Sequence, residues 1–192
     1  ESLSNALLAL GKIYLKKKSV DNAMVCFDEA LSIRKLMSDN ELGLSEVLFQ
    51  IGGVRESKKQ YLESLVCYEE SLKLRLSVSG EDEDTADIVS RIGEVRRIRG
   101  QYDLALENFN LALDMYKSTV GEAHLSVADT YHSLGYVCDA KNDVQKAMQN
   151  HKEGLSIRKL ILGGDHAKVA ASLDDVAGLY QKQNEHAKAL RC

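Results

Sequence analysis

An all-α protein, built as a solenoid of stacked antiparallel helix hairpins, is what this 192-residue sequence predicts. Three observations carry that expectation. A Gly or Ala, followed by a small residue at +12 and an aromatic or His at +16, recurs every 41 to 42 residues. Self-similarity at that period marks helical units that cannot bury their apolar faces alone. Between the landmarks the apolar residues follow helical spacing, without the alternation of a strand. The composition agrees: proline is absent, 44% of residues are hydrophobic and 28% are charged, which suits a soluble, nearly all-helical chain.

The elements follow in order, with a first helix (A) and a second helix (B) in each repeat. In the first repeat Leu7, Leu10, Gly11, Ile13 and Tyr14 mark helix A, and Val20, Ala23, Phe27, Ala30, Leu31 and Ile33 mark helix B, with Asp21 near its start. The second has Leu48, Ile51, Gly52 and Val54, then Ser64, Tyr68, Ser71 and Leu72, with Gly80 as a stop. In the third, Ile92 and Gly93 lie on helix A, Gly100 breaks the hairpin, and Tyr102, Ala105, Phe109, Ala112 and Leu113 form helix B up to Gly121. The fourth reads Leu134, Gly135, Ala147, His151, Gly154 and Leu155, ending at Gly163-Gly164. A fifth begins with Val176, Ala177 and Tyr180 and reaches Ala189. A mid-helix glycine costs up to about 1 kcal/mol, so the repeated Leu-Gly position requires a reason, and close helix approach supplies it. Acidic Asp21 and Asp103 favour helix N-termini, and glycines favour C-terminal stops.

Charge and cysteine content narrow the function classes. The net charge is −4 and no basic run exceeds Lys16-Lys17-Lys18, so nucleic acid is not an expected partner. No apolar stretch approaches the roughly 18 residues of a membrane span. Cys26, Cys67, Cys138 and Cys192 show no metal or redox spacing, and Cys26 and Cys67 share one repeat position. They read as buried packing thiols in a reducing, cytoplasmic setting. The chain starts at Glu1-Ser2-Leu3 without Met and its fifth repeat is incomplete, so it reads as a piece of a longer array. Leu179, Tyr180, Ala189 and Leu190 should then be partly exposed.

The register Leu-Gly-x-x-Tyr, Ala, Phe/Tyr, Ala-Leu resembles the tetratricopeptide repeat, in a long form near 42 residues. The linkers Leu160-Ile161-Leu162-Gly163-Gly164-Asp165-His166 and Gly121-Glu122-Ala123-His124 resemble those of kinesin light chain and its relatives. The resemblance divides residues 1–192 into repeats at about 4–44, 45–85, 86–127 and 128–169, with a partial repeat at 170–192, in one array. It implies a right-handed superhelix with a concave groove lined by A helices, where peptides bind.

Counted from each Gly, the groove positions hold Asn5 and Lys12 in the first repeat, and Glu46, Phe49 and Gln50 in the second. The third supplies Asp87, Arg91 and Glu94, the fourth Asp129, His132, Tyr136 and Asp139, and the last Asp174. Aromatic rings among both charge signs suit a protein or peptide partner of basic or mixed charge. A carboxylate clamp of the chaperone-binding kind is not carried over, because Leu8 and Glu46 stand where basic or amide groups would be needed.

Catalysis has no support in the sequence: no phosphate loop, G-x-S-x-G or H-E-x-x-H occurs, and Gly52-Gly53 falls within a helix. His124 and His166 recur at one linker position, which makes them capping or packing residues. Asp174 and Asp175 point about 100° apart on a helix and cannot pair. No metal site or cofactor is expected. The function predicted is a non-enzymatic interaction scaffold or adaptor, with a regulatory arm of a larger chain or a self-assembling scaffold as alternatives.

Overall fold

The computed structural model describes residues 2–37 and 40–191; Cys192 lies outside them. The described residues form α1 (Ser2–Lys16), α2 (Val20–Lys35), α3 (Glu41–Ser57), α4 (Tyr61–Val78), α5 (Glu83–Ile98), α6 (Tyr102–Thr119), α7 (Leu125–Ala140), α8 (Val144–Leu162), α9 (Ala167–Lys182) and α10 (His186–Ala189). No strand occurs among the described residues. The chain is an α-solenoid of helix hairpins that divides into two compact units, the first ending at Val95 and the second starting at Arg96, inside α5.

In the first unit α1 pairs with α2 and α3 with α4, while α2 also packs on α3. Phe27, Val47, Ile51 and Val54 meet in one core, and Leu65, Tyr68, Ile88, Ile92 and Val95 meet in another. In the second unit α7 pairs with α8, flanked by α6 and α9, and Cys138, Ala147, Leu155, Val169, Val176 and Leu179 form a core.

Size explains the Leu-Gly position. A Cβ on Gly11 would run into the ring of Phe27; on Gly52 it would lie 2.6 Å from Tyr68 Cε1, and on Gly135 2.5 Å from His151 Nε2. Each ring comes from the +16 position and is buried beneath its glycine, His151 included at 3% exposure. The small-residue contact also permits hydrogen bonds between the helices: Ser64 Oγ donates to the Gly52 carbonyl at 2.9 Å, and Ser71 Oγ to the Ser45 carbonyl at 2.7 Å.

Every helix A ends in the same way. Lys18, Lys59, Gly100, Asn142 and Asn184 adopt left-handed φ of +58°, +60°, +73°, +62° and +60°. The next amide then reaches back five residues, as in Ser19 to Tyr14, Gln60 to Arg55, Gln101 to Arg96, Asp143 to Cys138 and Glu185 to Tyr180, each at 2.9 Å. This satisfies carbonyls that a helix end leaves open. Gly80, Gly121 and Gly163, the expected stops of the B helices, also have positive φ. His124 and His166 cap α7 and α9, each Nδ1 accepting from the amide two residues on, at 3.3 and 3.1 Å.

One helix departs from the repeat, and one expectation needs correction. Leu10 and Ile13 do not point into a core but are 40% and 49% exposed, whereas Ile51, Ile92, Leu134 and Val176 at the Leu10 position are all 3% exposed or less. The later A helices are flanked by the preceding B helix, as α3 is by α2, while α1 packs against α2. Leu179, expected to be partly exposed, is 3% exposed because it sits in the core with Leu155 of α8. Leu190 is 89% exposed, as expected.

Candidate partner-binding site

Helical periodicity brings Glu46, Phe49, Gln50 and Gly53 to one side of α3. There a cavity of about 500 Å³ opens in the first unit, its wall including Asn5 and Lys12 from α1, Arg34 from α2, Glu46, Phe49 and Gln50 from α3, Arg75 from α4 and Asp87 from α5. Six predicted groove residues therefore share one concavity. Phe49 leans on Tyr68 with ring centroids 5.5 Å apart. The Tyr68 hydroxyl donates to Glu56 Oε2 at 2.8 Å, and burial, together with the Glu56 charge, pushes the phenol well above its ordinary pKa. Gly53 adds no side chain: a Cβ there would approach only the Tyr68 hydroxyl, at 3.6 Å.

Arg34 forms the floor. Its side chain is 5% exposed, with Nη2 donating to Asn5 Oδ1 at 2.7 Å and Nε to Ser4 Oγ at 3.4 Å. Nη1 is buried without a hydrogen-bond partner, and Glu46 Oε2 stands 4.0 Å away. Glu46 instead takes a hydrogen bond from Lys12 Nζ at 2.7 Å. Gly43 leaves room for the guanidinium, since a Cβ there would fall 2.5 Å from Nη1. The cavity thus offers an aromatic wall, paired surface charges and one buried donor still able to form a hydrogen bond.

The second unit arranges the same register differently. Asp129 accepts from Arg158 Nη2 at 2.6 Å and Lys168 Nζ at 3.1 Å. Asp139 is held by Lys182 at 2.6 Å. His132, Tyr136 and His151 form a ring cluster, His132 lying 4.5 Å from Tyr136 and 5.2 Å from His151. The Tyr136 hydroxyl donates to Asp175 Oδ1 at 3.0 Å. Burial, aided by the Arg158 charge, lowers the His132 pKa to about 4 against the opposing pull of Asp175, and burial lowers that of His151 as well.

Of the remaining predicted residues, Arg91 is exposed and Glu94 half-buried on α5, and Asp174 is exposed on α9, where its neighbour Asp175 faces the rings. Phe49 and Tyr136, grouped as one lining from sequence, fall in different units. Sequence reasoning missed Arg34, Arg75 and Arg158. A signal was present: Leu-Ser-Ile-Arg-Lys-Leu occurs at both 31–36 and 155–160, placing a charged residue at one fixed register point of helix B. Cys26, Cys67 and Cys138 are buried free thiols whose pKa values burial pushes up.

Hairpins locked by glycine-to-ring contacts, with polar A faces, define an α-helical repeat protein. Tetratricopeptide-repeat profiles match residues 4–35 and 84–160. The chain is a tetratricopeptide-repeat protein. Solved structures agree on the fold. BtubC (BKLC) from P. vanneervenii is 20% identical at a TM-score of 0.89, covering 100% of this chain and 77% of its own. A Podosopora anserina protein with nearly identical TPR-like repeats is 17% identical at 0.83, covering 100% and 92%. A Rap protein in complex with Competence and Sporulation Factor is 17% identical at 0.77, covering 96% of this chain and 50% of its own. No curated protein sequence matches the chain significantly.

Proposed function

We propose that this chain is a non-catalytic protein-interaction scaffold that holds a mixed-charge partner peptide in the concavity of its first unit. The observation that carries the reading is the convergence of Asn5, Lys12, Glu46, Phe49, Gln50 and Asp87 on one cavity around Arg34. Phe49 supplies the apolar contact, Glu46 and Asp87 attract a basic side chain, and Arg34 Nη1 donates to a carbonyl or carboxylate oxygen of the peptide. A buried donor that gains a partner on binding is worth more than a surface contact, because its desolvation cost has already been met in the free protein. That a Rap protein of similar fold is complexed with Competence and Sporulation Factor supports a binding use of the scaffold here.

The four repeats and the partial fifth then act as one array over residues 1–192, in a cytoplasm that keeps Cys26, Cys67 and Cys138 as thiols. No helix among the described residues is long and apolar enough to cross a membrane. A peptide array of aromatic, mixed-charge sequences, followed by fluorescence anisotropy on the best binder, tests the reading. Phe49→Ala should weaken binding at least about tenfold, as for an interface anchor. Equal affinity of wild type and Phe49→Ala for every binder would move the site elsewhere.

A further inference from the structure

His132 on α7, His151 on α8 and Asp175 on α9 meet in the second unit with one ligand-capable atom from each lying within 4.8 Å of the others. Two imidazoles and a carboxylate are a donor set for a transition metal rather than for calcium or magnesium. The contacts inside the cluster are not those of a finished hydrogen-bond network. His132 Nδ1 and Asp175 Oδ2 are 3.4 Å apart, and both Asp175 Oδ2 and His151 Nδ1 are buried without a hydrogen-bond partner. Orphaned buried polar atoms are costly, so a native site that keeps them invites an explanation. In a tetrahedral zinc site with bonds near 2.1 Å, neighbouring ligand atoms are separated by about 3.4 Å, which matches the His132–Asp175 spacing.

We propose that His132, His151 and Asp175 bind a divalent transition metal ion of the zinc type, which ties α7, α8 and α9 together. The outer shell fits this role. Tyr136 donates to Asp175 Oδ1 at 3.0 Å, fixing the carboxylate and leaving Oδ2 as its free atom. Ligating carboxylates are held in this way in metal sites. Arg158 is paired with Asp129 at 2.6 Å and hydrogen-bonds Ser172 at 2.5 Å, so its charge is partly offset at the site. His132 and Asp175 retain side-chain exposures of 21% and 19%, which leaves a path for entry. Three protein ligands leave a fourth position for water or for a group from a partner.

The test titrates the reduced, metal-stripped chain with zinc chloride by calorimetry and with cobalt chloride by visible absorption. One ion per chain, a tetrahedral cobalt spectrum without thiolate bands, and a rise in Tm that saturates at one equivalent are expected. His151→Phe removes a ligand while installing the ring that Phe27 and Phe109 provide at the same repeat position, so the fold should survive. Asp175→Asn removes the carboxylate without changing shape. Each should weaken zinc at least about 100-fold and abolish the metal-dependent rise in Tm. If His151→Phe alters the metal-free dichroism, Asp175→Asn decides. Unchanged zinc affinity in Asp175→Asn, thiolate bands in the cobalt spectrum, or no binding by wild type overturns the proposal.

Discussion

The faces of α3 and α7 are built on one register, yet one is open and the other is filled. Counting from Gly52 and Gly135, Glu46 corresponds to Asp129, Phe49 to His132, Gly53 to Tyr136 and Tyr68 to His151. At α3, Gly53 leaves space beside Phe49, and Arg34 leaves Nη1 unpaired beneath it. At α7, Tyr136 occupies that space and bonds to Asp175, while Arg158, the repeat counterpart of Arg34, bonds through both Nη atoms to Asp129 and Ser172 and leaves only Nε unpaired. The scaffold therefore sets where side chains point, and a few exchanges at fixed points decide whether a face is a cavity or a polar cluster.

The largest test of this shared register is the ring beneath the glycine. Tyr68 is 1% exposed, so Tyr68→Ala should cost about 3–5 kcal/mol in urea unfolding. His151→Phe, at the matching site, should leave metal-free stability within about 1.5 kcal/mol. A small loss for Tyr68→Ala would break the equivalence at its root.

The two arginines come next. Arg158→Met removes the short bonds to Asp129, which keeps Lys168, and to Ser172, whereas Arg34→Met removes bonds to the neutral Asn5 and Ser4 and a 4.0 Å contact with Glu46. Asp129 is 46% exposed, which discounts the ion pair, so about 1–3 kcal/mol is expected for Arg158→Met and about 1 kcal/mol or less for Arg34→Met. A reversed order in denaturant midpoints would mean that Arg34 is a structural residue and not a waiting donor.

Arg75 holds the same register point and gives the comparison a pH signature. It grips Asp82 through Nε at 3.0 Å and Nη2 at 3.1 Å, while the Thr85 amide donates to the same carboxylate at 2.8 Å. Burial alone would raise the Asp82 pKa, but these hydrogen bonds hold it down at about 2. A depressed carboxyl stabilises the fold above its unfolded value, near 3.9, and that stability is lost as pH falls from about 4 to about 2. With Asp82 35% exposed, the loss should be about 1–2 kcal/mol, and Asp82→Asn should remove this part of the acid slope. An unchanged slope would show that the Arg75 pair is decorative.

The smallest effect separates adjacent glycines. Gly52→Ala drives a methyl into Tyr68 and should destabilise by about 1–3 kcal/mol. Gly53→Ala meets only the Tyr68 hydroxyl, at an ordinary contact distance of 3.6 Å, and should stabilise by about 0.5–1 kcal/mol through helix propensity. Effects of the same sign would remove the distinction between a glycine that packs on a ring and one that does not.

Much of this was legible in the sequence. Gly11, Gly52 and Gly135 with Phe27, Tyr68 and His151 at +16 gave the hairpin packing, because size complementarity leaves a strict spacing. The left-handed Lys18 and Lys59 were hidden, since nothing in a lysine announces positive φ; only their alignment with Gly100 could have suggested it. Asn5, Lys12, Glu46, Phe49, Gln50 and Asp87 could be grouped because the tetratricopeptide resemblance fixes their position relative to each Gly, and they line one cavity. Arg34 and Arg158 were missed because B-helix arginines read as surface charge, while the structure buries them to 4% and 5% exposure. The link from His132 to Asp175 was also missed, since it depends on a crossing between helices 43 residues apart in sequence.

The recurring turn after each helix A has a kinetic consequence. The amides of Ser19, Gln60, Gln101, Asp143 and Glu185 bond back across the same five-residue step, so each reports on the integrity of its own turn. In a chain where helices mainly touch their sequence neighbours, opening is expected to be local, and folding can nucleate at more than one hairpin. Hydrogen exchange at those five amides would then read out an ordered series of local opening energies along the molecule, an intrinsic ruler of which hairpin yields first.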